Sequence, residues 1–104
     1  MDQHNDLKIV VEIESELMPI VPEFLENRRK DCDRLEQFVE SADYASIRTL
    51  GHRMKGAGGS YGFDHISELG ELIETAGLAA DRETVVAAQA RLRDYLDRVE
   101  VVYV

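Results

Sequence analysis

The segment Gly51–Phe63, GHRMKGAGGSYGF, carries the residues of this chain best suited to chemistry. His52 supplies an imidazole, Lys55 follows it by three residues and Arg48 precedes it by four, while Gly56 and Gly59 lie about one and two turns further on if the segment is helical. An unperturbed imidazole has a pKa of about 6.5, so at neutral pH most of it has a free nitrogen lone pair. A nucleophilic nitrogen, two nearby cations and missing side chains on the approach suit phosphoryl transfer, which depends on alignment and charge stabilisation more than on covalent help from the protein. The glycines need such a reason. Each costs about 1 kcal/mol relative to alanine inside a helix, and five of the thirteen residues here are glycine.

Helical geometry gives these side chains a common direction. At about 100° per residue, Ile47, Leu50, Met54, Ala57 and Tyr61 fall within about 80° of arc and form an apolar stripe. His52 lies about 180° from its centre and is expected to face solvent. Ala45, Arg48, Lys55, Gly56 and Gly59 fall within about 60° of His52 on the same outward face. Gly51 and Gly58 point to the flanks or core, where they permit close helix contact. Gly62 is placed to stop the helix in a left-handed conformation.

The elements that must hold this helix emerge from the same periodicity. Val21, Leu25, Cys32, Leu35 and Val39 make one stripe, widened by Phe24 and Phe38, with Pro19 and Pro22 around the helix entry. Ile66, Leu69, Ile73 and Ala76 make a third helix, and Val85, Ala88, Leu92, Leu96 and Val99 a fourth. Asp43, Asp64 and Asp81 stand where N-caps of the second, third and fourth helices are expected. Short connections favour an all-α, antiparallel up-down four-helix bundle formed by residues 1–104 as one domain. Residues 1–18 form a short N-terminal arm in which Ile9, Val11 and Ile13 alternate as in a strand. With no second strand run to pair with, the arm is expected to be extended or frayed.

Composition narrows the partners. Aspartate and glutamate number 21 against 12 lysines and arginines, a net charge of −9, which argues against nucleic acid or an anionic membrane. The sequence contains no run of membrane-spanning length, and its start lacks the basic and apolar regions of a signal peptide. A single cysteine, Cys32, excludes an internal disulfide, so a cytoplasmic monomer is the expectation. Cys32 reads as a small core residue, His65 as a first-turn surface residue and His4 as part of a terminus. Glu74 is assigned either to a helix interface or to the surface. A carboxylate-bridged metal bundle would need Glu-x-x-His pairs, and the sequence has none.

His52, Met54, Lys55, Gly56, Gly59, Gly62 and Phe63 resemble the signature of histidine-containing phosphotransfer (HPt) domains, roughly His-x-hydrophobic-Lys-Gly followed by small residues and a glycine. The segment ISELGELIETA is similar to that family's following helix, with Ile73 and Glu74 where a Leu-Glu pair is usual. The resemblance implies a phosphocarrier without ATP-dependent kinase activity. It makes His52 the phosphoacceptor through Nε2, Lys55 the support for the phosphoryl group, and Gly56 and Gly59 the cleared approach. Arg48 enters as electrostatic support from helical geometry alone. The implied partners are receiver domains of response regulators or hybrid sensor kinases. These partners would carry the Mg²⁺, and this chain would need no cofactor or metal. The competing reading is a helical protein-binding adaptor of the same fold that performs no chemistry.

Overall fold

A computed structural model describes residues 7–104, so His4 lies outside the described residues. Its elements in chain order are strand β1 (Ile9–Ile13), a 3-10 turn (Ser15–Leu17), helices α1 (Val21–Glu40), α2 (Tyr44–Tyr61), α3 (Asp64–Leu78) and α4 (Arg82–Arg98), and strand β2 (Val99–Tyr103). The four helices pack around a core in which Leu35, Ile47, Ile66, Ile73, Val85 and Leu92 have no exposed surface. Each apolar stripe turns inward because only that face can leave water, and a fully buried aliphatic side chain contributes about 1.5–3 kcal/mol. Leu25, Ala57 and Tyr61 are half-buried against the core.

The helices are joined by tight turns built on one hydrogen-bond pattern. At the end of α1, Asp43 N–H donates to the Phe38 carbonyl at 2.8 Å and Ala42 N–H to that of Val39 at 3.1 Å. The end of α3 repeats this with Asp81 to Ala76 and Ala80 to Gly77, and the end of α2 with Phe63 to Gly58 and Gly62 to Gly59. Each turn needs one left-handed residue, supplied by Gly62 (φ 86°) after α2 but by Ala42 (φ 55°) and Ala80 (φ 54°) elsewhere. Two aspartates then cap the next helices, α2 and α4. Asp43 accepts from Ser46 N–H and Asp81 from Thr84 N–H, both at 3.2 Å. Asp64 does not act this way. It is the first residue of α3, and the flanking position is Phe63, which makes no side-chain cap bond. The buried Phe63 ring stacks on Phe24 at 5.1 Å, and this anchor carries the chain directly from Gly62 into α3.

The two ends of the chain correct the expectation of an unpaired arm. β1 pairs in parallel with β2, Ile9 opposite Val99 through Ile13 opposite Tyr103. Val99 therefore begins a strand, with ψ at 134°, and does not continue the α4 stripe. An isolated two-stranded ribbon is marginal in water. Here Ile9, Val11, Ile13, Val99, Val101 and Tyr103 pack against the helices, while Val10, Glu12, Glu100 and Val102 face outward. Ile13 is buried, and its Cδ1 would meet a Cβ at Gly62 at 3.3 Å, so the ribbon supports the C-terminal end of α2.

Candidate functional site

α2 and α3 approach each other backbone to backbone, and this contact determines what surrounds His52. A Cβ added at Gly51 would lie 2.8 Å from the Gly70 carbonyl oxygen, one at Gly70 2.8 Å from that of Gly51, and one at Gly58 2.6 Å from the Ser67 amide nitrogen. One at Gly77 would lie 2.7 Å from the Arg48 nitrogen. No side chain fits in that seam. Its partners run in opposite order, from Arg48 beside Gly77 to Gly58 beside Ser67, and Ser67 Oγ ties the register by donating to the Lys55 carbonyl at 2.9 Å.

With the helices this close, a short reach from α3 meets the histidine. Glu74 Oε2 lies 3.0 Å from His52 Nδ1, and the His52 side chain is nevertheless 72% exposed. A carboxylate only accepts, so Nδ1 carries the hydrogen, and in the neutral ring the lone pair is then on Nε2, on the opposite edge. Glu74 is held in turn, at 24% exposure, beside the fully buried Ile73. His52 thus faces solvent as the helical arithmetic predicts, and its hydrogen bond goes to Glu74.

The other predicted residues occupy the same face with different surroundings. A Cβ at Gly56 would meet nothing within 4 Å, and one at Gly59 only Ser67 Oγ at 3.7 Å, an ordinary contact. Packing therefore does not require either glycine. Both leave open surface beyond the ring. Lys55 is 44% exposed, and its Nζ stands 4.0 Å from Glu71 Oε1, a loose surface pair that leaves the ammonium free to swing toward an anion on His52. Arg48 is exposed one turn before the histidine and makes no ion pair with another described residue. His65 belongs elsewhere, with its ring 4.9 Å from that of Tyr95.

A family model of the Hpt domain matches residues 19–101, most of the chain. The chain belongs to the Hpt domain family. Membership assigns it to histidine phosphotransfer in two-component signalling, with receiver domains of response regulators as its class of partner. Searches of curated proteins and of solved structures returned no significant match. The Hpt match spans all four helices and reaches into β2, and β1 precedes it. Among the described residues no helix is long and apolar enough to cross a membrane. Glu74, the hydrogen-bond partner of His52, is the residue whose place the sequence left open between a helix interface and the surface. The available signal was the spacing of Gly51 and Gly70, which brings α3 close enough for the residue after Ile73 to reach the histidine.

Proposed function

We propose that His52 is the phosphoacceptor of a phosphorelay, receiving a phosphoryl group from a receiver domain's aspartyl phosphate and passing it to another receiver's aspartate. The hydrogen bond from His52 Nδ1 to Glu74 Oε2 at 3.0 Å is the observation that carries the reading. The Nε2 lone pair attacks phosphorus, the bond from phosphorus to the aspartyl oxygen breaks, and the carboxylate leaves with the bonding pair. No proton has to move. The ring keeps its Nδ1 hydrogen and gains positive charge, which the Glu74 carboxylate faces, while Lys55 Nζ pairs with the phosphoryl oxygens and Arg48 adds a weaker field. The same steps in reverse return the group.

Gly56 and Gly59 leave room for the receiver to bring its aspartate in line with Nε2. A Mg²⁺ on the receiver would neutralise charge on the transferring group, and this chain would act as a carrier that needs neither metal nor nucleotide of its own. The close pairing of α2 with α3, the Arg29 guanidinium on the Leu96 carbonyl and the Gln89 amide on that of Cys32 support an antiparallel up-down bundle. We read residues 1–104 as one such domain, monomeric and cytoplasmic.

Mixing the protein with a phosphorylated receiver and measuring acid-labile phosphate on the chain tests the reading. Wild type should label and His52→Gln should not, with helicity and melting temperature near wild type because exposed substitutions usually cost about 0.5 kcal/mol or less. Full labelling of the variant would remove His52 as acceptor, and an unlabelled wild type would favour the adaptor.

A further inference from the structure

On the flank of α2 away from Glu74, an open groove of about 720 Å³ runs between α1 and α2. Arg28 and Arg34 line it from α1 and Arg53 from α2, and Asp31 is its only acidic lining residue among the described residues. Three guanidiniums against one carboxylate leave a local excess of positive charge in a chain whose net charge is −9. Chance placement of surface charge does not account for how two of them are held. Asp31 is buried, and its two oxygens accept from Arg28 Nε at 2.8 Å and Arg34 Nη1 at 3.0 Å. Arg28 also lies over the Phe24 ring, 4.8 Å from its centroid. The buried carboxylate thereby orients two guanidiniums whose remaining N–H groups are unspent. Arg53 is exposed and forms no ion pair with another described residue.

The groove borders the face that presents His52. Thr49, three residues before the histidine, is another of its lining residues, and Arg53 comes directly after His52. On the opposite flank α3 exposes Glu68 and Glu71. A body centred on His52 therefore meets three arginines on its α1 side, and on its α3 side the carboxylates of Glu68 and Glu71 alongside Lys55 and Arg48.

We infer that the Arg28–Arg34–Arg53 groove is the docking site for an acidic segment of the receiver domain, a helix or loop bearing aspartate or glutamate side chains beside the phosphorylated residue. The inference rests on the carrier reading of His52 and adds to it the orientation of the partner. Complementary charge acts on encounter and register.

The test uses the full chain, with transfer from phosphorylated receivers encoded in the source genome measured against receiver concentration and sodium chloride. Arg53→Glu should raise the half-saturating receiver concentration by about tenfold or more, while the saturating rate stays within about twofold. It should also flatten the salt dependence of the second-order rate, and Arg53→Lys, which keeps the charge, should restore both. Arg34→Gln should shift half-saturation in the same direction with a smaller magnitude. Unchanged half-saturation in Arg53→Glu and Arg34→Gln, or a loss confined to the saturating rate, overturns the docking site. Phosphoramidate, a small phosphodonor that needs no docking face, tests His52 separately. If it labels wild type and the arginine variants still saturate as wild type does, the groove is wrong and the carrier stands. If neither phosphoramidate nor any receiver labels wild type, both readings fall, and labelling by phosphoramidate alone overturns the docking site.

Discussion

Glu74 Oε2 sits 3.0 Å from His52 Nδ1 across 22 residues of sequence, so α3 determines which nitrogen of the α2 histidine is free. Glu74→Ala removes the acceptor and lets the ring turn and change tautomer. Transfer from a phosphorylated receiver should slow about tenfold, about 1.4 kcal/mol on the barrier. Glu74→Gln can still accept from Nδ1 through its carbonyl and should fall between the two. Rapid-quench rates check this, and equal rates for all three proteins would release Glu74 from the role.

Lys55 should act after the bond is made as well as during transfer. Its ammonium is loosely paired with Glu71 and free to track the phosphoryl oxygens. Lys55→Ala is expected to shorten the phosphohistidine lifetime and slow transfer, with a smaller change in receiver binding. Arg48→Ala should change both less. Lifetime is read from the decay of acid-labile phosphate after the donor is removed, and an unaltered decay would place Lys55 outside the site.

The glycines of α2 should separate into two kinds. Gly59→Leu adds a side chain that the packing accepts, since its Cβ would stand 3.7 Å from Ser67 Oγ, and should raise intrinsic helix stability by most of about 1 kcal/mol. It should also slow transfer by occupying the approach to His52. Gly51→Ala should instead lower stability, and it should disturb Glu74, whose Cα its Cβ would approach to 2.9 Å. That Cβ would also lie 2.8 Å from the Gly70 carbonyl, where backbone cannot give way cheaply, so stability should fall by about 1–3 kcal/mol. Paired melting and transfer measurements check both. A Gly59→Leu protein that transfers at the wild-type rate would show that this glycine does not guard the approach.

Titration of the core gives a further expectation. Burial pushes the Cys32 thiol up to about 11 and, with the nearby Asp64 carboxylate contributing, the Tyr95 phenol up to about 12. The folded state thus holds both protons more tightly than the unfolded chain, whose groups start from 9.0 and 10.0. Their contribution to stability is complete below about pH 9 and is lost as pH rises toward 11 and 12. Melting temperature should fall across that interval, and Cys32→Ala should flatten its first part. The folded thiol should also resist alkylation at pH 8.

The features legible in the sequence are those with short periods. The outward His52, the inward stripes, the cap at Asp43 and the stop at Gly62 each depend on residues a few positions apart, where helical geometry leaves little choice. β2 was hidden because Leu92, Leu96 and Val99 continue a helical spacing and no glycine or proline marks the end of α4 at Arg98. Its pairing with β1 joins residues about ninety positions apart, which no local pattern encodes. Glu74 and Asp31 were obscured for a related reason. A carboxylate reads as surface until the element opposite it is known, and only the packed helices show that one reaches His52 while the other is enclosed between Arg28 and Arg34.

The parallel sense of the β1–β2 ribbon governs how the fold bears mechanical load. Tension applied at Ile9 and Tyr103 pulls β1 backward and β2 forward, so the strands are asked to slide along each other. Every rung of the ladder then resists together, including the bonds of Ser15 and Ile13 to Val104 that extend it. An antiparallel clasp tugged from one end would peel rung by rung. Force passing along the chain is carried across the ribbon in shear, and the helix that presents His52 is shielded from it until the strands part.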